Sequence, residues 1–295
     1  MITSPYLEGR DRYERAIEGG WTIPTRMPSP IPCALTDPEH SVEVSAVCTA
    51  SPGYEVRQAR ARIVRGDADP MIAADFSGLS GARMVAGFTR RVADLCGPRA
   101  GAGLFVDAAV EIARLARQTA KVPAAMTAGF AHGDARRCWE LDTASWDDLP
   151  NSCFTYSAAG RALLSSRAVT VSATLDLYTP PPGARKIFVR RRLSRLVRTG
   201  RRLHLFHSLH DNVHGFDVHY EVDLDSGRIA AADSVTSRLP YLGICDEPQA
   251  KIAALIGQPA DRALRRGIRG LIGGEAGCAQ LYDLTADLLK LLVLD

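Results

Sequence analysis

The chain has 295 residues, 46% hydrophobic and 23% charged, with a formal net charge of +3. That balance suits a globular protein with a sizeable core. It excludes a disordered or collagen-like chain and gives no reason to expect nucleic acid as a partner. Seven cysteines, odd in number, scattered and never spaced as CxxC, suggest neither a disulfide framework nor a zinc ribbon. No signal-peptide core or bilayer-spanning apolar run is visible, so a cytoplasmic protein with no membrane partner is expected.

Residues 1–40 are rich in proline, arginine and serine, with Pro24, Pro28, Pro30 and Pro32 close together, and read as an extended arm. Strand signals follow at 41–48, 55–64 and 71–76, separated by turn-forming Ser51-Pro52-Gly53 and Gly66-Asp67-Ala68-Asp69-Pro70. Helices are expected over 82–95 and 104–118, the second from the helical period of Leu104, Val110, Ile112 and Leu115. The stretch 121–151, with Trp139 and Trp146, reads as an irregular connection able to fold over a pocket. A strand at 168–178 stops at Pro180-Pro181-Pro182-Gly183. Four strands then span 186–197, 202–209, 216–224 and 228–235, the last two joined by Asp225-Ser226-Gly227, and helices at 247–256, 260–271 and 279–292 close the chain.

The two halves share this order. Gly97, Ala100, Gly101 and Asp107 recur as Gly273, Ala276, Gly277 and Asp283, and Ile72-Ala73-Ala74-Asp75 echoes Ala230-Ala231-Ala232-Asp233. The expected class is α+β, a diverged tandem repeat in which an antiparallel sheet precedes helices in each half, with the site at the junction. Four segments result: an arm at 1–40, a first repeat at 41–120, a Trp-containing connection and strand at 121–185, and a second repeat at 186–295.

Five of the seven histidines, His204, His207, His210, His214 and His219, fall in one short β-rich stretch. Imidazole moves protons near neutral pH, so acid–base chemistry, metal binding and a wet sheet face all compete here. His210-Asp211 and Val218-His219-Tyr220 on adjacent strands are expected to bring two imidazoles, a carboxylate and a phenol together. His207 and His214 are expected to face water. His-x-x-His on a strand points its rings to opposite faces, which disfavours a metal. Asn151-Ser152-Cys153-Phe154-Thr155-Tyr156 offers a pocket wall and Tyr156 as an acid. Cys278, at a helix start behind Gly277, is either a nucleophile or a small packing residue, and Cys245 is equally open. No phosphate loop, dinucleotide fingerprint or nucleophile elbow is present.

The run Arg190-Arg191-Arg192-Leu193, the His210-Asp211 turn, Val218-His219-Tyr220, Leu239-Pro240 with Cys245, and Gly277-Cys278 with Leu281 and Asp283 resemble the bacterial DUF2889 family of uncharacterised proteins. The likeness covers about residues 186–292. The family shows Thr-His after its glycine-cysteine where this chain has Ala279-Gln280, which weighs against a metal or thiol role for Cys278 and leaves His219 as the best-matched polar residue. Its members' setting in bacteria that degrade aromatic compounds implies a small aromatic substrate.

The expected function is a cofactor-independent lyase acting on a small aromatic, lignin-derived compounds included. Acid–base carbon–carbon cleavage would release a small aldehyde such as formaldehyde, or the reaction would be an elimination. His210, His219, Asp211, Tyr220 and Tyr156 are the candidate catalytic residues, and Trp139, Trp146 and Phe154 the candidate substrate wall. No metal or other cofactor is expected, and a homodimer is compatible. The alternatives are a non-enzymatic small-molecule-binding or regulatory protein and a metal-binding or assembly protein.

Overall fold

The computed structural model describes residues 2–21, 30–119, 134–172 and 187–293. Its main sheet has eight strands: β1 (Arg12–Trp21), β2 (Ile31–Thr36), β3 (Ser41–Cys48), β4 (Val56–Arg65), β6 (Phe188–Thr199), β7 (Arg202–His210), β8 (Gly215–Asp223) and β9 (Arg228–Arg238). They lie in the order β4-β3-β2-β1-β6-β7-β8-β9. A two-stranded antiparallel ribbon joins β5 (Thr170–Val171) to β10 (Tyr241–Leu242). The described helices are α1 (Pro70–Asp75), α2 (Phe88–Cys96), α3 (Ala102–Thr119), α4 (Ala135–Ser145), α5 (Ala158–Leu163), α6 (Arg262–Ile272) and α7 (Ala279–Leu289). The chain divides into a larger unit of residues 1–14, 130–173 and 192–295 and a smaller unit of 15–129 and 174–191.

In the larger unit, alternation along the strands sends Leu203, Leu205 and Leu209 of β7 and Phe216, Val218, Tyr220 and Val222 of β8 into one core. Helices α6 and α7 meet them with Leu264, Ile268 and Ile272, and with Leu281, Leu284 and Leu288. Each such side chain, fully buried, contributes about 1.5–3 kcal/mol. The α6 sequence separates its faces: the buried residues recur every fourth position, while Arg262, Arg265, Arg266 and Arg269 stay outside. Asp261 caps it, accepting from the Leu264 amide at 2.8 Å.

The smaller unit packs α3 on its strands through Phe105, Ala108, Ile112 and Leu115. The Arg190–Glu111 ion pair, at 3.6 Å, is buried there, and Arg15–Asp107, at 2.8 Å, is partly buried.

Three expectations change. Residues 1–40 are no arm, because they carry β1 and β2. The inward-facing Arg15 hides the alternation of Tyr13 and Ile17, and Pro32 sits within β2. The expected strand at 71–76 is instead α1 up to Asp75 followed by a 3-10 turn that starts at Phe76: Asp69 accepts from the Met71 amide and Pro70 opens the helix. The echo between 72–75 and 230–233 therefore compares a helix with a strand. The expected irregular connection contains α4, capped by Asp134. Residues 120–133 of that connection, 173–178 of the expected strand and the proline stop at 180–183 lie outside the described residues.

Candidate functional site

The β7–β8 hairpin sorts the histidines by strand parity. His204, His210 and His219 project from the outer face, where the rings of His204 and His219 stack with centroids 5.7 Å apart and His210 pairs with Asp217 at 3.0 Å. His210 and His219 are not brought together. His210 pairs across the ladder with Gly215 and His219 with Phe206. They are thus four strand positions apart, roughly 13 Å at about 3.4 Å per residue. Asp211 does not orient His210; its Oδ1 accepts from the Val213 and His214 amides at 2.7 and 2.6 Å and bonds the His214 ring. Its turn is therefore an Asp-x-x-His clasp.

Period-two geometry also separates His219 from its neighbour Tyr220, which points into the core with its hydroxyl 2.6 Å from Thr285 Oγ1. Burial holds the Tyr220 phenol well above its ordinary pKa, so it stays protonated. His207 and His214 are buried, against the expectation of a wet face. His207 is 2% exposed, and its Nδ1 donates to the Leu284 carbonyl at 3.0 Å. Near these groups on α7, Asp287 binds Arg192 at 2.7 Å and Lys290 at 2.6 Å. The core face of this hairpin thus holds a polar layer that hydrophobic patterning did not reveal.

A second cluster unites the other expected residues. Tyr156, on the single 3-10 turn Phe154–Tyr156, donates its hydroxyl to Asp142 Oδ2 at 2.9 Å. Tyr241 of β10 donates to the same oxygen at 2.6 Å. The Tyr156 ring lies 6.4 Å from Trp139 and meets Tyr241 edge-on at 6.1 Å. Arg161 stands over the Trp139 ring at 5.5 Å, and Trp139 Nε1 donates to the Thr155 carbonyl at 2.8 Å. Phe154 and Tyr156 remain partly exposed while packed on the core. Burial, reinforced by the Asp142 charge, raises the Tyr156 pKa well above the usual phenol value. Trp146 is buried at the C-cap of α4.

Local sequence builds this turn. Ser157 caps α5 by accepting from the Gly160 amide at 3.1 Å, and a Cβ at Gly160 would fall 2.1 Å from the Phe154 carbonyl oxygen. On the other side the Phe154 amide donates to the Gly277 carbonyl at 2.8 Å. A Cβ at Gly277 would come within 2.3 Å of the Ile272 carbonyl oxygen, so glycine is required by close backbone approach.

Thiols surround the same turn. Cys245 Sγ lies 2.9 Å from Thr155 Oγ1, and Cys153 and Cys278 flank the Phe154–Gly277 hydrogen bond. Burial pushes the Cys245 thiol up to about 12 and the Cys278 thiol up to about 11, and raises Cys153 as well. All three are therefore thiols at neutral pH. Cys278 is the N-cap of α7, yet desolvation outweighs what the helix end offers.

Elsewhere, Asp37, Glu39 and His40 have ligand-type atoms within 4.8 Å of one another. The Asp37 carboxylate is committed to its turn, accepting from the Glu39 and His40 amides at 2.9 and 2.6 Å.

Sequence reasoning placed the buried His207 in water and missed Asp142 and Tyr241. Asp142 sat in a stretch read as irregular, and its two tyrosine partners are 14 and 99 residues away.

The region that supplies the polar layer, β10 and the Gly277-Cys278 turn also carries the family signal. Residues 193–293 match DUF2889, a protein family of unknown function. No curated protein and no solved structure matches the chain. The DUF2889 segment is roughly a third of the chain. Tyr156, Asp142 and Trp139 lie outside it, whereas Tyr241, Cys245 and Cys278 lie inside. Among the described residues, no helix is long and apolar enough to cross a membrane.

Proposed function

We propose that the protein is a cofactor-independent lyase acting on a small aromatic compound, with lignin-derived compounds as the first class to test. The observation that carries this reading is the sharing of Asp142 Oδ2 by two phenols, at 2.9 and 2.6 Å, beside the ring of Trp139, with Phe154 at the start of the Tyr156 turn. A carboxylate touching protonated phenols is a proton acceptor and a pair of proton donors in one place. In the proposed reaction Asp142 takes the proton of a substrate hydroxyl, and the adjacent carbon–carbon bond breaks to release a small aldehyde. The freed electron pair forms a carbon–carbon double bond and expels a phenolate, which takes the Tyr156 proton. Asp142 then returns its proton to Tyr156. Trp139 and Phe154 stack against the substrate ring.

This account moves the acid–base work from His210 and His219, which the β-register separates, to a carboxylate and two phenols. The test is turnover of aromatic dimers and monomers by purified protein, compared with Asp142→Asn and Tyr156→Phe. Loss of turnover in both folded variants supports the site, and full turnover in either removes it. Saturable binding without chemical change would favour the small-molecule-binding alternative.

We further infer that the chain is a diverged tandem repeat, and two turns support this. In both, an aspartate amide donates to the carbonyl of the histidine three residues on at 2.9 Å, for Asp37–His40 and for Asp211–His214. In both, the histidine amide donates to Oδ1 of that aspartate at 2.6 Å and the ring approaches it at 3.2 Å. An arginine at the end of the last strand, Arg65 or Arg238, donates to the aspartate carbonyl in each. Each turn joins the second and third strands of a four-strand run, and each half closes with a helix pair around Gly97 or Gly273.

A further inference from the structure

Helix α6 carries charge of one sign. Arg262, Arg265, Arg266 and Arg269 are its only charged residues, and all four are exposed. They follow the i, i+3, i+4, i+7 spacing and so share one face, about 10 Å long at roughly 1.5 Å per residue. Arg262 therefore neighbours Arg265 and Arg266, and Arg269 neighbours the same two, and each like-charged pair costs helix stability. Arg262 adds to that cost because it stands at the positive end of the helix dipole. Elsewhere arginines answer acids: Arg191 meets Glu18 and Arg195 meets Glu14, each at 2.7 Å, and Arg198 meets Asp11 at 3.0 Å. Arg265, Arg266 and Arg269 have no such partner among the described residues. A Cβ at Gly267 or Gly270 would meet no heavy atom within 4 Å, so this side of the helix is open.

We propose that the exposed face of α6 docks an acidic segment of a partner protein, whose carboxylates meet Arg265, Arg266 and Arg269, with Arg262 at the end of the row. The partner's negative charge offsets the repulsion that the free helix carries. Guanidinium forks suit carboxylates, which they bind through paired hydrogen bonds. Leu264, Ile268, Leu271 and Ile272 are engaged by the core, which holds the arginines in register and leaves the helix no apolar edge to sink into a bilayer. No aromatic side chain lies in α6 to stack a base, and the row is the length of a short segment rather than of an extended phosphate track. A second copy cannot meet this face with its own α6, since like charges would then oppose each other. The inference does not depend on the lyase reading, which turnover tests separately.

The experiment is fluorescence anisotropy of a labelled helical peptide bearing glutamates at i, i+3, i+4 and i+7, titrated with the full-length protein at low and physiological salt. The glutamine counterpart of the peptide, a labelled DNA duplex and phosphatidylserine vesicles are measured beside it. The expected result is saturable binding of the glutamate peptide that weakens as salt screens it, and none of the glutamine peptide. The double variant Arg265→Glu, Arg269→Glu should weaken binding on the order of tenfold or more. Arg60→Glu with Arg91→Glu, the same change of charge at exposed positions of the smaller unit, should leave it unchanged. Far-UV circular dichroism checks that each variant is folded. No saturable binding of the glutamate peptide, equal binding by the folded Arg265→Glu, Arg269→Glu variant, or tighter binding of the duplex or the vesicles than of the peptide overturns the proposal.

Discussion

Asp142 holds two phenols on one oxygen, and that is the arrangement on which the proposed chemistry turns. Removing the Tyr156 hydroxyl in Tyr156→Phe should lower turnover by about 10²–10⁴-fold, the usual worth of a positioned acid. The fold should survive, since a lost hydrogen bond costs about 1–3 kcal/mol, and a thermal melt beside the steady-state rate separates the two effects. Arg192 and Asp287 behave differently because both are buried. Arg192→Met leaves the carboxylate without that partner in the interior and should destabilise by about 3–5 kcal/mol in a denaturant titration. Cys278, with its thiol near 11, should react slowly with iodoacetamide at neutral pH and faster as pH approaches that value. Rapid labelling at pH 7, mapped by mass spectrometry, would contradict the thiol account.

The hairpin turns and helix starts show where sequence speaks plainly. Strands β3, β7 and β8 were legible because their apolar residues alternate, and α3 and α7 because theirs follow the helical period. β1 was not, because Arg15 occupies an inward position, and α1 was misread because Ile72 and Phe76 outweighed the Asp69-Pro70 start signal. His207 was assigned to water by the rule that polar strand residues face outward; its bond to a carbonyl of α7 is a tertiary fact that no local pattern carries. The Asp37–His40 clasp gives a pH prediction at this scale. Burial pulls the His40 pKa down, but Asp67 and Asp37 outweigh it, leaving the pKa above 6.5. Its contribution is therefore complete below the unfolded-state value and is lost as pH rises through the raised one. Stability followed across that interval should fall with pH in the parent and fall less in His40→Gln; equal slopes would contradict the clasp.

For the whole molecule, the family-matched segment is not a self-sufficient body. The core of the larger unit also takes Leu7, Tyr13, Cys138 and Trp139, all outside residues 193–293. A fragment of residues 187–295 should therefore lack the cooperative thermal transition of the full chain, and a sharp transition at the parent temperature would contradict this. The mixed fold with its antiparallel sheet was readable from element order. The phenol–carboxylate cluster was readable only in part: Tyr156, Phe154 and Trp139 were named, but their partners come from α4 and β10, joined by the fold alone. The most direct test of the central claim is incubation of the pure protein with a panel of lignin-type aromatic dimers and monomers, read by mass spectrometry beside Asp142→Asn. The account predicts product lighter by the mass of a small aldehyde such as formaldehyde, or of water if the reaction is an elimination, formed by the parent and not by the folded variant. The same product formed at the same rate by Asp142→Asn, or no mass change across the panel, would contradict it.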